Sequence, residues 1–234
     1  RTTKTVIYDK WRYFNVLPDV TRCYPNLNHA QRNNRLHMCN LILIKHSSPE
    51  IVRDRPAKDW VLSEAGREKC AFLAEALQPY DPEIFVGSEE PKAAATAEVT
   101  AGLMDVGWET MAGLHEHERA GVRYIPDPAV FHGKVKAFFD RPDELVFGEE
   151  TAEQALERFR EAVGKVLERY NGRTVAVATH GTVISLFVSQ VSGGDLFALW
   201  QRLNLPSFVV LTVPAFEQVA LVERVVKRTR PSMR

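Results

Sequence analysis

Two short apolar runs, each ending on a histidine, constrain this chain more than anything else in it. Leu41-Ile42-Leu43-Ile44 leads into Lys45-His46-Ser47, and Val175-Ala176-Val177-Ala178 leads into Thr179-His180-Gly181. Four apolar residues in a row, without polar alternation, suit a strand buried on both faces, as in parallel sheets covered by helices on each side. Two such strands running the same way put both histidines at their carboxyl ends, on the sheet edge where open α/β folds bind ligands. A third run, Ile84-Phe85-Val86, ends in Gly87-Ser88 and precedes a helix that carries Lys92. Two imidazoles and two ammonium groups are therefore expected in one crevice, which points to an anionic, phosphate-like ligand.

Between these runs the period changes to that of helices. Ser63 caps a helix with Gly66 in its first turn and Phe72, Leu73, Ala76 and Leu77 on its buried face. Ser88 is the expected N-cap of a helix over 89–103, with Pro91 tolerated in its first turn. The loop from Ser47 to Trp60, with Pro49 and Pro56, is expected to lie over the crevice. A weaker strand is expected near 108–111, then loop-rich sequence over 120–150 with one short helix near 129–139. Thr151 and Gln154 make a capping box for the longest helix, where Ala155, Leu156, Phe159, Val163, Val166 and Leu167 recur at helical spacing. Asn171-Gly172 ends it. Helices over 182–191 and 195–202 follow, and 208–213 with 219–225 read as an antiparallel pair. The alternation predicts a three-layer α/β/α sandwich with a mostly parallel central sheet and an antiparallel edge.

Composition narrows the classes of function. The 30 basic and 30 acidic residues cancel and are interspersed, which argues against a nucleic-acid partner. No apolar stretch is long enough to span a membrane, and the first residues lack the layout of a secretory signal, so no membrane partner is expected. Cys23, Cys39 and Cys70 are odd in number and widely spaced, which fits a reduced, cytoplasmic setting with Cys70 as a buried free thiol. Residues 1–37 differ from the rest: Arg1, Lys4, Lys10, Arg12, Arg22, Arg32 and Arg35 face only Asp9 and Asp19. They are expected to form an extension outside the fold, with the domain over 38–226 and a basic tail over 227–234.

Taken in order, these residues resemble the histidine phosphatase superfamily, the phosphoglycerate mutase-like proteins with an Arg-His-Gly signature at the end of the first strand. Lys45-His46-Ser47 stands at that signature, and Leu62-Ser63 with Gly66 is similar to the Leu-Thr-x-x-Gly that follows. Ser88, Lys92, Thr96 and Ala97 keep the spacing of the family's Ser-x-x-x-Arg-x-x-x-Thr-Ala. Leu114 and Glu116 resemble its acid-bearing segment, Glu150-Thr151 with Arg158 its next helix, and Thr179-His180-Gly181 its second histidine motif. The resemblance covers roughly 40–225.

The resemblance implies a phosphomonoesterase that works through a phosphohistidine on a small phosphorylated metabolite or phosphorylated side chain. His46 would be the nucleophile, neutral and with one nitrogen free. His180 would donate to the phosphoryl oxygens, helped by the backbone N–H groups of Gly181 and Thr182 at a helix N-terminus. Lys45 and Lys92 would neutralise phosphoryl charge. Glu116 would protonate the leaving alkoxide and then activate water, with Glu118 and Glu150 as alternative acids. No cofactor or metal is implied; His115 and His117 suggest zinc only if further ligands join them. The protein is expected as a monomer or homodimer. Four positions depart from the pattern: Lys45 and Lys92 replace both arginines, Ser47 replaces a glycine, and Val52 stands where the family usually has asparagine. A guanidinium grips phosphate with a planar fork, whereas an ammonium is a point charge on a flexible stem. Two other functions remain open. One is mutase-type phosphoryl transfer, for which the segment before Glu150 looks short and poor in basic residues. The other is a non-catalytic module that binds phosphate.

Overall fold

In the computed structural model, which describes residues 39–227, the first apolar run is strand β1 (Cys39–Lys45) and the second is β4 (Val175–Thr179). The expectations for residues 1–37, and for all of the basic tail but Lys227, lie outside the described residues. Strands β2 (Ile84–Gly87), β3 (Gly107–Thr110), β5 (Ser207–Val213) and β6 (Gln218–Val222) complete a six-stranded sheet in the order β3-β2-β4-β1-β5-β6. The first four strands are mutually parallel, while β5 and β6 run antiparallel at one edge. This is the expected three-layer arrangement.

Each face of the sheet has its own core. Ile42 and Ile44 pack with Ala176 and Ala178 beneath helices α1 (Glu64–Leu77) and α2 (Pro91–Met104). The small side chains of this layer, including Ala97 and Ala101, let α2 lie close to the sheet: a Cβ on Gly87 would come within 3.2 Å of the α2 backbone. Leu41, Leu43, Val175 and Val177 face the opposite layer, with Phe138 of α3 (Pro128–Asp140), Phe159 of α4 (Ala152–Arg169), Phe187 of α5 (Gly181–Ser192) and Leu199 of α6 (Leu196–Arg202). All four apolar residues of β1 are fully buried, each worth about 1.5–3 kcal/mol relative to exposure. Among the described residues no helix is long and apolar enough to cross a membrane.

Topology then makes the crevice. Strand β1 leads to α1 on one face, and its neighbour β4 leads directly into α5 on the other. The chain therefore diverges between two adjacent carboxyl ends, which is the switch point where such sheets open. The backbone ladder continues just past the strands: His46 N donates to Thr179 O at 2.9 Å, and Ser88 N to Ala178 O at 2.8 Å.

Local signals are met with two exceptions. Ser63 accepts from Gly66 N at 3.0 Å, and Thr151 with Gln154 forms the reciprocal capping box. Helix α2, however, begins at Pro91, with Glu90 in the cap position and no side-chain cap. Ser88 Oγ instead accepts from Glu90 N at 3.2 Å and turns toward His180, because tertiary partners claim it. Strand β6 ends at Val222, and Val225 is held separately by a bond from its N–H to Pro206 O.

Ser47 does not crowd the crevice. Its hydroxyl donates to Gly66 O at 2.8 Å and its N–H to Thr96 Oγ1 at 3.0 Å, so the loop after His46 is tied to both α1 and α2. The buried Cys70 thiol is free and shares the Gly66 carbonyl. A Cβ on Gly66 would stand 2.2 Å from Ser48 O, whereas one on Gly102 would meet nothing within 4 Å. Gly66→Ala is expected to cost about 1–3 kcal/mol by forcing that loop away. Gly102→Ala, in open helix, is expected to gain about 0.5–1 kcal/mol. Denaturant midpoints of the two variants check both signs.

Candidate active site

His46 leaves β1 with its ring turned back on its own chain. Nδ1 lies 2.7 Å from Ser47 O, and a carbonyl can only accept, so Nδ1 carries the proton and Nε2 keeps its lone pair. Burial, then the charges of His180, Lys92 and Lys45, push its pKa well below the ordinary value, against the opposing Ser47 bond. The ring is neutral at pH 7. His180 lies beside it, ring centroids 5.1 Å apart and planes at 62°. Its Nε2 is 3.1 Å from Ser88 Oγ, and burial followed by Lys92 pushes its pKa well down too.

Glu116 sits on a segment braced from behind. Arg158 of α4 donates to the carbonyls of Gly113, His115 and Glu116 at 2.8, 3.0 and 3.1 Å. It also holds Glu150 at 2.6 Å, and Glu150 accepts from Glu118 N at 2.8 Å. Glu150 is thus committed to bracing, while Glu118 pairs with His115 at 3.1 Å. Thr179, at the end of β4, adds a bond from its hydroxyl to Leu114 O at 2.6 Å. The Glu116 carboxylate accepts from His117 N at 3.0 Å and, on its other oxygen, from Thr182 N at 3.4 Å. Burial raises its pKa, but Arg119, His117 and His180 outweigh that and bring it down to about 2. Since the imidazoles are neutral at pH 7, Arg119 is the standing cation of that group.

The lysines diverge. Lys92 lines the crevice, donating to Ala57 O at 2.8 Å and pairing with Glu90. Lys45 does not line it; its ammonium donates to Leu203 O at 2.6 Å. There it lies under the start of α5, so that a Cβ on Gly181 would come within 3.1 Å of Nζ. Burial lowers the Lys45 pKa to about 8. The crevice, of about 410 Å³, therefore gathers His46, Lys92, Glu116 and His180, with Thr182 reaching it through its N–H and Lys45 beneath.

The lining residues that were not singled out from the sequence include Glu90 and Arg119. One Glu90 oxygen accepts from Glu116 N at 2.9 Å and stands 3.6 Å from His180 Nε2, while the other pairs with Lys92. Its carboxylate thus occupies donors that suit an anionic oxygen. Arg119 is the second, its guanidinium over the rings of Phe131 and Phe147 at 5.4 and 6.0 Å. Nothing in their spacing marked either one. His117 has both ring nitrogens unpartnered and packs between Phe138 and Phe147, at 4.5 and 5.1 Å between centroids. Among the described residues no three metal-ligating side chains gather.

Comparison with known proteins gives a consistent picture. A model of the histidine phosphatase superfamily (branch 1) matches residues 41–222. The chain is 23% identical over 137 residues to an uncharacterized phosphatase PhoE of Bacillus subtilis, covering 58% of this chain and 67% of that one. Bacillus stearothermophilus YhfR superposes with a TM-score of 0.62 at 22% identity, over 81% of this chain and 98% of its own. The α-ribazole phosphatase from Shigella flexneri superposes at 0.59 and 14% identity, over 82% and 100%. A mycobacterial glucosyl-3-phosphoglycerate phosphatase does so at 0.59 and 17%, over 74% and 90%. At these identities the structural likenesses show the fold.

The Arg158–Glu150 brace can be tested directly. Arg158→Met leaves the buried Glu150 carboxylate without its cation and three carbonyls without their donor, and is expected to cost about 3 kcal/mol, as removal of one partner of a buried pair does. Thermal unfolding measures that loss. Digestion with a protease of broad specificity, expected to cut first within 113–121, locates it.

Proposed function

Because the chain belongs to the histidine phosphatase superfamily, we propose that it is a phosphomonoesterase that passes the phosphoryl group through His46 to water. The observation that carries this reading is the Nδ1 bond to Ser47 O, which leaves Nε2 with its lone pair in a crevice shared with Lys92, Glu116 and His180. A small phosphorylated metabolite or side chain is the substrate class. Its phosphoryl oxygens would take the donors that Glu90 now holds, Lys92 and the Glu116 N–H, beside His180 Nε2, which stands 3.6 Å from the same carboxylate. The His46 lone pair forms a P–N bond as the P–O bond to the alcohol breaks, and the departing oxygen takes a proton from Glu116. Glu116 then removes a proton from the water that attacks phosphorus; the P–N bond breaks and inorganic phosphate leaves.

The proton needs a source, since Glu116 is ionised in the free protein. A phosphomonoester monoanion brings one, and its charge raises the carboxylate's pKa. Alkyl esters, whose alkoxides leave only when protonated, should thus turn over faster as pH falls through the second phosphate pKa of about 6. His46 stays neutral across that range because its own pKa lies well below its ordinary value. Aryl esters leave unaided and should show a flatter profile.

The measurement is phosphate release without added metal, from one alkyl and one aryl ester, between pH 5.5 and about 7.5. His46→Ala should abolish both activities. Glu116→Gln should cut the alkyl rate by about 10²–10⁴, the range of general acid catalysis, and the aryl rate far less. Lys92→Ala should cost about one to two decades, the worth of one charge-assisted bond. Lys45→Ala should cost less, since its ammonium is spent on Leu203 O. A flat alkyl profile would remove Glu116 from the role of acid. Phosphate delivered to a second hydroxyl would mark a mutase. The Glu90 carboxylate favours one further reading, a module that exchanges this internal anion for phosphate without turnover. Vanadate binding with no hydrolysis of any ester would establish it.

A further inference from the structure

A second cavity opens where the crevice ends. It measures about 270 Å³ and shares Ala57 and Arg119 with the crevice, so a ligand held at His46 could extend into it without leaving the protein. Its walls are largely apolar and aromatic, with Trp60 and Tyr124 on one side at 6.0 Å between centroids and Phe131 and Phe147 on the other. Arg119 bridges the two spaces, fixed over the latter two rings. Arg55 and Arg123 stand at the exposed side, and among the described residues that line the cavity there is no carboxylate. In a chain of zero net charge, three arginines around one apolar space form a local field rather than a reflection of composition.

From this geometry we infer that the cavity holds the alcohol part of the substrate, and that this part is an apolar ring carrying an anionic substituent at its outer end. The inference rests on the phosphatase reading for the position of the phosphoryl group, and adds what the leaving group is. Size supports it. A void of about 150 Å³ accommodates benzene, so 270 Å³ takes one ring with a short chain on either side. Chemistry supports it as well: rings of this kind stack on aromatic walls, and a carboxylate at the far end would meet Arg55 and Arg123. A sugar or a short polyol would leave its hydroxyls against Phe131, Phe147 and Ile125, with few partners.

The test compares three phosphate monoesters whose alcohols have similar basicity, so that rate differences report on binding and not on leaving-group chemistry. These are n-butyl phosphate, 4-phenylbutyl phosphate and 4-(4-carboxyphenyl)butyl phosphate. The phenyl group should raise kcat/KM at least about tenfold, the lower end for one extra group in an apolar pocket. The carboxylate should raise it further at low ionic strength, and that second gain should vanish in Arg123→Gln and in high salt. Tyr124→Ala should remove most of the phenyl gain, and a cooperative thermal transition shows that the variant is folded. Equal kcat/KM for all three esters would overturn the inference and leave the phosphatase reading standing. If no ester is hydrolysed, calorimetry with 4-phenylbutylphosphonate and butylphosphonate decides the point. Tighter binding of the phenyl compound, lost in Tyr124→Ala, supports the cavity and refutes the phosphatase reading alone. Equal binding overturns the cavity.

Discussion

The parallel pairing of β1 with β4 is the constraint on which the rest of the molecule depends. With Lys45 opposite Thr179, the residues that follow leave the sheet side by side, and His46 and His180 meet without a loop being needed to bring them together. That pairing is possible only because both strands are apolar on both faces, since a single charge in either run would have to be buried. The chain lays down β2 and β3 first and then inserts β4 between β2 and β1. This sends α1 and α5 to opposite faces and leaves the gap between their strands open. Strand order, more than any one side chain, makes the crevice.

Concentrating cations in that gap has a cost, and the protein meets it in two ways. Burial shifts both imidazoles and Lys92 toward their neutral forms, and Lys45 beneath them down to about 8. Carboxylates supply the rest. Glu90 pairs with Lys92, and the Glu116 charge opposes the desolvation of both lysines. On the proposed reading an anionic ligand would therefore replace an internal anion and would not enter an empty positive site. The exchange of arginine for lysine fits that design. A flexible ammonium at 45 can bend back to Leu203 O, and one at 92 can donate to both Ala57 O and Glu90, where a rigid fork would demand a matching pair of acceptors.

How far the sequence revealed this follows from the range of each interaction. The strands were legible because continuous apolar runs have few other uses, and the capping box over Thr151 and Gln154 because its partners lie three residues apart. His46, His180 and Lys92 could be placed from strand ends and helical spacing. The direction of Lys45 could not, since it is set by a carbonyl 158 residues away, in the turn before β5. Glu90 looked like an ordinary first-turn acid, and its contacts with Glu116 N and His180 arise only when three loops converge. The second cavity was equally hidden. Residues 119–126 carry no period, and Arg119, Tyr124 and Ile125 acquire a shared meaning only when Phe131 and Phe147 close over them.

Protonation pulls the protein in two directions. Under the proposed mechanism, chemistry on alkyl esters gains from acid, because the proton that Glu116 would deliver arrives with the monoanionic ester. Stability loses from acid. His46, His117 and His180 are all buried with pKa values below the ordinary 6.5, His117 at about 3 with burial as the main cause. Above pH 6.5 the folded and unfolded chains both keep these rings neutral and the histidines contribute no pH dependence. Below it the unfolded chain takes up protons that the folded chain refuses, and the balance moves toward unfolding until the folded pKa values are reached. Two of these rings are the ones the proposed mechanism uses; His117 is not, yet it packs against Phe138 and Phe147 beside the same crevice. The burial that keeps His46 neutral, as the proposed nucleophile requires, is the same burial that makes the fold acid-sensitive, so under that mechanism catalysis and stability pull against each other as pH falls.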